Sequence, residues 1–165
     1  MRIMNIMRSK ESEGIMYNSR PETIKHIETV KKFIERIANE LSIRGMIHDV
    51  SKLQEPEKSI FDEYTPKLKE CTYGSDEYKQ YLSEMQTALN HHYSKNRHHP
   101  EHHGEGIKGM TLVDLCEMIA DWKAATLRHA DGDILRSIEI NQSRFGYSDE
   151  MKQILLNTVE MHFTD

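Results

Sequence analysis

The chain has 165 residues, 37% hydrophobic and 30% charged, with a net charge of −5. That length suits one domain with a real core. The negative balance argues against a protein that coats nucleic acid, and no apolar run reaches the ~20 residues of a membrane span. Two cysteines, Cys71 and Cys116, are too few for a disulfide framework and are expected to be reduced thiols in a cytoplasmic protein.

Residues 1–18 read as a loose, Met-rich arm without the apolar h-region of a signal peptide. Ser19, Pro21 and Glu22 then open a helix as cap, first-turn residue and capping-box partner. Ile27, Val30, Ile34, Ile37 and Leu41 recur at three- and four-residue steps, an amphipathic stripe. A short helix is expected through Ile43 to Leu53, and another from Pro56 with Ile60, Tyr64 and Leu68 as its apolar face. Thr72 to Ser75 reads as a turn, and Asp76 to His92 as one helix carrying Tyr78, Leu82, Met85 and Leu89. The segment 96–109, rich in Gly, His and Pro, reads as a loop. Thr111 caps a helix striped by Leu112, Leu115, Ile119 and Trp122, ended by Asp131 or Gly132, and two shorter helices over 133–141 and 148–162 follow. No segment alternates as a strand does. The reading is all-α: a single helical bundle of six to seven helices over 19–165, behind the 1–18 arm.

Histidine is the unusual residue. There are ten, six of them between His91 and His103. Neutral imidazole is the commonest metal ligand, so this density points to a divalent ion. His48-Asp49 is an adjacent pair that can share one ion only if the helix bends, because helix neighbours diverge by ~100°. His26 lies near the apolar face of the first helix. Asp121 stands among Ala120, Trp122, Ala124 and Ala125, a crowded setting in which a carboxylate needs a cation or donors. It shares a helix stripe with Asp114, Glu117 and Arg128, which is equally the pattern of a solvated acidic face.

The order His26, His48-Asp49, Asp121 resembles the signature of the HD-domain superfamily of metal-dependent phosphohydrolases, over about residues 20–130. A closer resemblance, to a family of uncharacterised bacterial and phage proteins, runs through His48-Asp49-Val50-Ser51-Lys52, His91-His92 with Asn96 and His98-His99, and Glu117-Met118 with Asp121-Trp122. The HD likeness implies an all-helical bundle with a divalent ion held by His26, His48, Asp49 and Asp121. Some HD proteins add histidines between the His-Asp pair and the last Asp to hold a second ion, a place filled here by His91, His98 and His99. His102 and His103, set among Gly and Glu, are expected to be exposed.

The expected activity is hydrolysis of a phosphate ester, a nucleotide by family likeness, through a metal-activated water. The ions, one or two, are Mn, Fe, Co, Ni, Mg or Zn. Lys52 stands where some HD nucleotidases carry a Glu, and it suits a phosphate better than it suits a base. Lys52, Lys95, Arg97 and Arg128 are the candidate phosphate contacts. Asp49, Glu117 and Asp121 are the candidate proton acceptors, and Tyr93 or Trp122 offers a face on which a base stacks. Two alternatives stay open: a di-iron oxygenase on the same scaffold, and a non-enzymatic, metal-containing nucleotide-binding module. A homodimer through the first helix and the arm is compatible with the pattern. No membrane and no extended nucleic-acid surface is expected.

Overall fold

The computed structural model describes residues 17–72, 75–128 and 132–163. Among these the fold is all-α: α1 (Arg20–Ile47), α2 (Glu57–Glu70), α3 (Asp76–Glu84), α4 (Gln86–Lys95), α5 (Leu112–Thr126), α6 (Ile134–Phe145) and α7 (Asp149–His162), with no strand. The chain divides into two units, Met1–Arg36 and Ile37–Asp165, the division falling inside α1. In the first unit, residues 20–36 form amphipathic helix, with Ile27 and Ile34 both 60% exposed.

The helices of the second unit start and stop for local reasons. Ser75 caps α3 by accepting from the Tyr78 N–H, Asp133 caps α6 through Leu135 and Arg136, and Ser148 caps α7 through Met151. Thr111 and Asp114 form a reciprocal capping box at the head of α5. Gly146 ends α6 at φ 66, a left-handed conformation that glycine adopts without a Cβ penalty.

The apolar core lies in α5, α6 and α7. Met118, Ile119, Ile138, Leu155 and Val159 pack with Tyr147, whose hydroxyl donates to the Ile138 carbonyl at 2.5 Å. Each such buried side chain contributes roughly 1.5–3 kcal/mol. Trp122 stacks on Phe145 at the edge of this core, with ring centroids 6.2 Å apart and planes 11° apart, so it belongs to packing. Around α2 and α4 the interior is different: Met85 and Ala88 are buried, but so are Glu57, His92 and His98. Buried polar groups on this scale need partners, and they locate the site.

Three expectations are corrected. The separate helix over 43–53 is absent: α1 runs on to Ile47, and only a 3-10 turn, Val50–Leu53, follows. Gly45 costs a helix interior about 1 kcal/mol relative to alanine, and Arg44 offsets this by tying the last turn of α1 to Asp114 and Glu117 on α5. The helix expected over 76–92 is broken at Met85, after which α4 buries Met85, Ala88 and His92 along one side. Leu112 is 76% exposed and takes no part in the α5 stripe. That helix stops at Thr126, and Asp131 lies outside the described residues.

Candidate metal centre

The His-Asp pair follows the end of α1. Asp49 has φ 56, the left-handed region that Asp tolerates better than most residues. This turn replaces the helical divergence of neighbouring side chains, and His48 and Asp49 face one centre, with His48 Nε2 3.6 Å from Asp49 Oδ2. Lys52, on the 3-10 turn, reaches back to donate to Asp49 Oδ2 at 2.6 Å.

Two other segments converge there. The end of α4 and the following loop supply His92, His98 and His99, with Asp49 Oδ1 3.2 Å from His92 Nε2 and 3.6 Å from His98 Nε2. His92 Nε2 and His99 Nε2 are 2.9 Å apart. Helix α5 supplies Asp121, 3.5 Å from His48 Nε2 and 3.9 Å from His98 Nε2. Three sets of side chains can each offer ligand atoms within 4.8 Å of one another: Asp49, His92, His98 and His99; His48, Asp49 and Asp121; and His48, His98 and Glu117. Asp49 is common to the first two.

Carboxylates behind the imidazoles fix which nitrogen faces in. Glu117 Oε1 is 3.0 Å from His48 Nδ1 and 3.1 Å from His98 Nδ1, and Glu57 Oε2 is 2.9 Å from His92 Nδ1. An Nδ1–H donated to a carboxylate leaves the Nε2 lone pair free, the tautomer a metal ligand requires. Glu57 is fully buried; it also accepts from Ser51 Oγ and lies 2.7 Å from His91 Nδ1. Arg44 donates to Glu117 and, at 2.6 Å, to Asp114. Glu117 is thus committed to two imidazoles and a guanidinium.

The carboxylates of the cluster set its electrostatics. Asp121, as hydrogen-bond acceptor, pushes the His48 imidazolium up to about 9 against burial, with Glu117 and Asp49 adding to it. Burial, with His98 and His92 alongside, pushes His99 down to about 3, and burial also lowers His98. Burial would raise the Asp49 carboxyl, yet His92 and Lys52 hold it well below the usual carboxylate range. The carboxylates around His48 thus favour its imidazolium, while burial favours neutral His98 and His99. Among the described residues, two buried atoms, Asp49 Oδ1 and His98 Nε2, have no hydrogen-bond partner. Orphans of this kind cost about 1–3 kcal/mol each, and a divalent ion between them removes that cost.

Sequence reasoning placed His48, Asp49, His98, His99 and Asp121, and the structure brings these together. It chose His91 over His92. On the folded α4 His91 turns to Glu57, while His92, 1% exposed, turns to Asp49. The spacing of Met85, Ala88 and His92, one buried side of a helix, was the usable signal. Glu57 carried no sequence signal. His26 is exposed, lies in the first unit, and is a member of none of the three ligand sets. Arg97 makes a two-pronged pair with Asp114 through Nε and Nη2. Lys95 and Arg128 are exposed. His102 and His103 are half-buried rather than open, each within hydrogen-bond reach of a backbone carbonyl, of Tyr93 and of Arg97.

Residues 16–161 match a family of unknown function, DUF5662. The chain belongs to the DUF5662 family. No curated protein and no solved structure matches it. For this DUF5662 member the site chemistry has to come from the residues themselves. Glu57 gives a direct handle on it. Glu57→Gln keeps the shape but weakens the hold on His92, and it is expected to lower the affinity for any divalent ion taken up beside His92, His98 and His99 by about 10- to 100-fold. Uptake beside His48 and Asp121 is expected to be unaffected. Stepwise metal titration distinguishes the two; equal weakening of both, or of neither, contradicts this role.

Proposed function

We propose that this protein is a metal-dependent phosphohydrolase whose centre holds two divalent ions. The observation that carries the reading is the set of imidazoles fixed from behind by Glu57 and Glu117, with Nε2 atoms converging on Asp49 and two buried polar atoms left unpartnered. His48, Asp49 and Asp121 would hold one ion, and Asp49, His92, His98 and His99 the other. Four imidazoles and two carboxylates leave two divalent ions with a net positive charge, which favours an anionic substrate. Divalent ions supply Lewis acidity toward water and toward a phosphoryl oxygen. Lys52, tethered by Asp49, is placed to meet the phosphate charge. Asp121 and Asp49 are the proton acceptors at the centre, while Glu117 positions His48 and His98. The resemblance of His48-Asp49 and Asp121 to HD-domain phosphohydrolases supports the same reaction class, and the unpaired Cys71 and Cys116 suit a reducing, cytoplasmic setting.

The test is metal-dependent turnover of 4-nitrophenyl phosphate. Stripping with a chelator is expected to cost at least about a hundredfold, restored by Mn or another divalent ion. Metal uptake is expected to strengthen with pH up to about 9, as His48 gives up its proton, and to level off above. Protein that takes up no divalent ion at any pH rules the reading out. The same donors also suit a pair of irons. Iron retained through aerobic purification, with oxygen consumption in place of phosphate release, would favour the oxygenase.

A further inference from the structure

A cleft of about 300 Å³ opens beside His48 and Asp121. Its walls are Leu41 and Gly45 on α1 and Cys116, Ala120 and Ala124 on α5. Among the described residues no lysine or arginine lines it, and its acidic members are Asp121 and Glu117. Resting on the phosphohydrolase reading, we propose that this cleft binds the organic part of the substrate, and that this part is compact, uncharged and largely apolar, about one ring system in size.

The position comes from shared residues. The cleft is lined by His48 and Asp121, two of the three side chains that would hold one ion. Asp121 Oδ2 is also 3.9 Å from His98 Nε2, a buried atom without a hydrogen-bond partner among the described residues. A phosphate at the ions and a group in the cleft therefore meet at one carboxylate. The size comes from the volume, at the low end of the ~300–1,000 Å³ of small-molecule sites. The chemistry comes from the walls. Gly45, Ala120 and Ala124 leave a shallow surface without long side chains, which suits a flat ring. A second phosphate placed there would find Glu117 and, apart from the ions already holding the first phosphate, no lysine or arginine among the described lining residues, so a polyphosphate tail is disfavoured.

Phosphonates, which the centre cannot hydrolyse, make the test. On the Mn-loaded protein, phenylphosphonate is expected to bind at least about tenfold more tightly than methylphosphonate, from burial of one ring. Ala124 is exposed, so Ala124→Phe fills the cleft without invading the core. It is expected to erase the phenyl advantage while methylphosphonate affinity and metal content stay the same. Leu41→Ala, which widens the cleft, is expected to weaken phenylphosphonate alone. Equal affinity of the two phosphonates in wild type, or an unchanged phenyl advantage in Ala124→Phe, overturns the inference. If neither phosphonate binds while the metal is present, the phosphate reading itself falls, and this one with it. If Ala124→Phe instead turns a dimer into a monomer by sedimentation and leaves the phosphonates unaffected, the cleft belongs to a second copy and the inference is overturned.

Discussion

Replacing Asp49 with alanine is expected to take the metal content from near two equivalents to near zero while the helices remain. Asp49 is the one carboxylate that belongs to both ligand sets proposed for the two ions. Its Oδ1 faces His92 and His98, and its Oδ2 faces His48 and Lys52. Loss of either set alone would leave one ion in place; loss of the shared residue leaves two incomplete sets. Removing the side chain also removes an acceptor from Lys52, but that amine is part-exposed and water can replace the carboxylate. The backbone cost is the left-handed φ of 56, which alanine tolerates less well, by about 1–2 kcal/mol. Asp49→Asn keeps the turn and one acceptor oxygen but not the charge, so it is expected to keep the fold and still bind weakly. Turnover of a phosphate ester is expected to fall at least about a hundredfold in Asp49→Ala. Elemental analysis beside circular dichroism decides it. A folded Asp49→Ala that keeps two equivalents would show that the imidazoles and Asp121 suffice to hold the ions without Asp49.

The sequence made the helices legible because their apolar spacing and caps are local. Thr111 announces α5 and its cap is made as expected, and the structure adds Asp133 and Ser148 as the caps of α6 and α7. The end of α1 was not legible, because Gly45 looks like a terminator until Arg44 is seen fastened to α5 across 70 residues of chain. The same distinction runs through the site. His48-Asp49 and the histidine cluster are visible as composition. That adjacent residues can face one centre depends on a positive φ, whereas the spacing of His92 from Met85 and Ala88 was there to be read in favour of His92 over His91. Glu57 acts entirely through tertiary contact with His91, His92 and Ser51, and nothing in its own neighbourhood separates it from a surface glutamate. Asp114 is the sharpest case. By spacing it joins an acidic helix face with Glu117 and Asp121, yet it is 0% exposed and has no contact with water.

That burial makes Asp114→Ala the substitution expected to destabilise the fold most. The carboxylate accepts from Arg44 Nη1 at 2.6 Å, from Arg97 Nε and Nη2 at 3.2 and 3.1 Å, and from the Thr111 N–H and hydroxyl at 2.8 and 2.7 Å. Alanine opens the capping box of α5 and leaves Arg44, largely buried, with Glu117 and exposed Glu40 as its partners. Losing a cap costs about 0.5–2 kcal/mol and breaking a buried ion pair about 3–5 kcal/mol. The two losses share one residue and do not add in full, so about 3–5 kcal/mol is expected. For a protein of this size that lowers Tm by about 6–20 °C. Burial would raise the Asp114 carboxyl, but the Thr111 N–H and Arg44 outweigh it and hold the group well below the usual range. Its stabilising effect is therefore complete above the ordinary aspartate range and fades only as strong acid is approached. Arg97→Ala, which removes a half-exposed partner, is expected to cost less than 1 kcal/mol, within the range of surface pairs at about 0–1 kcal/mol. The difference between the two variants separates the buried cap and Arg44 from the surface pair. Because Arg44 also steadies Glu117, and Glu117 orients His48 and His98, Asp114→Ala is expected to weaken metal binding even at temperatures where it is folded. An Asp114→Ala protein that melts within about 2 °C of wild type would mean the α5 cap and the Arg44 tether are replaceable, and the link from α1 to the metal centre would have to run through Glu117 alone.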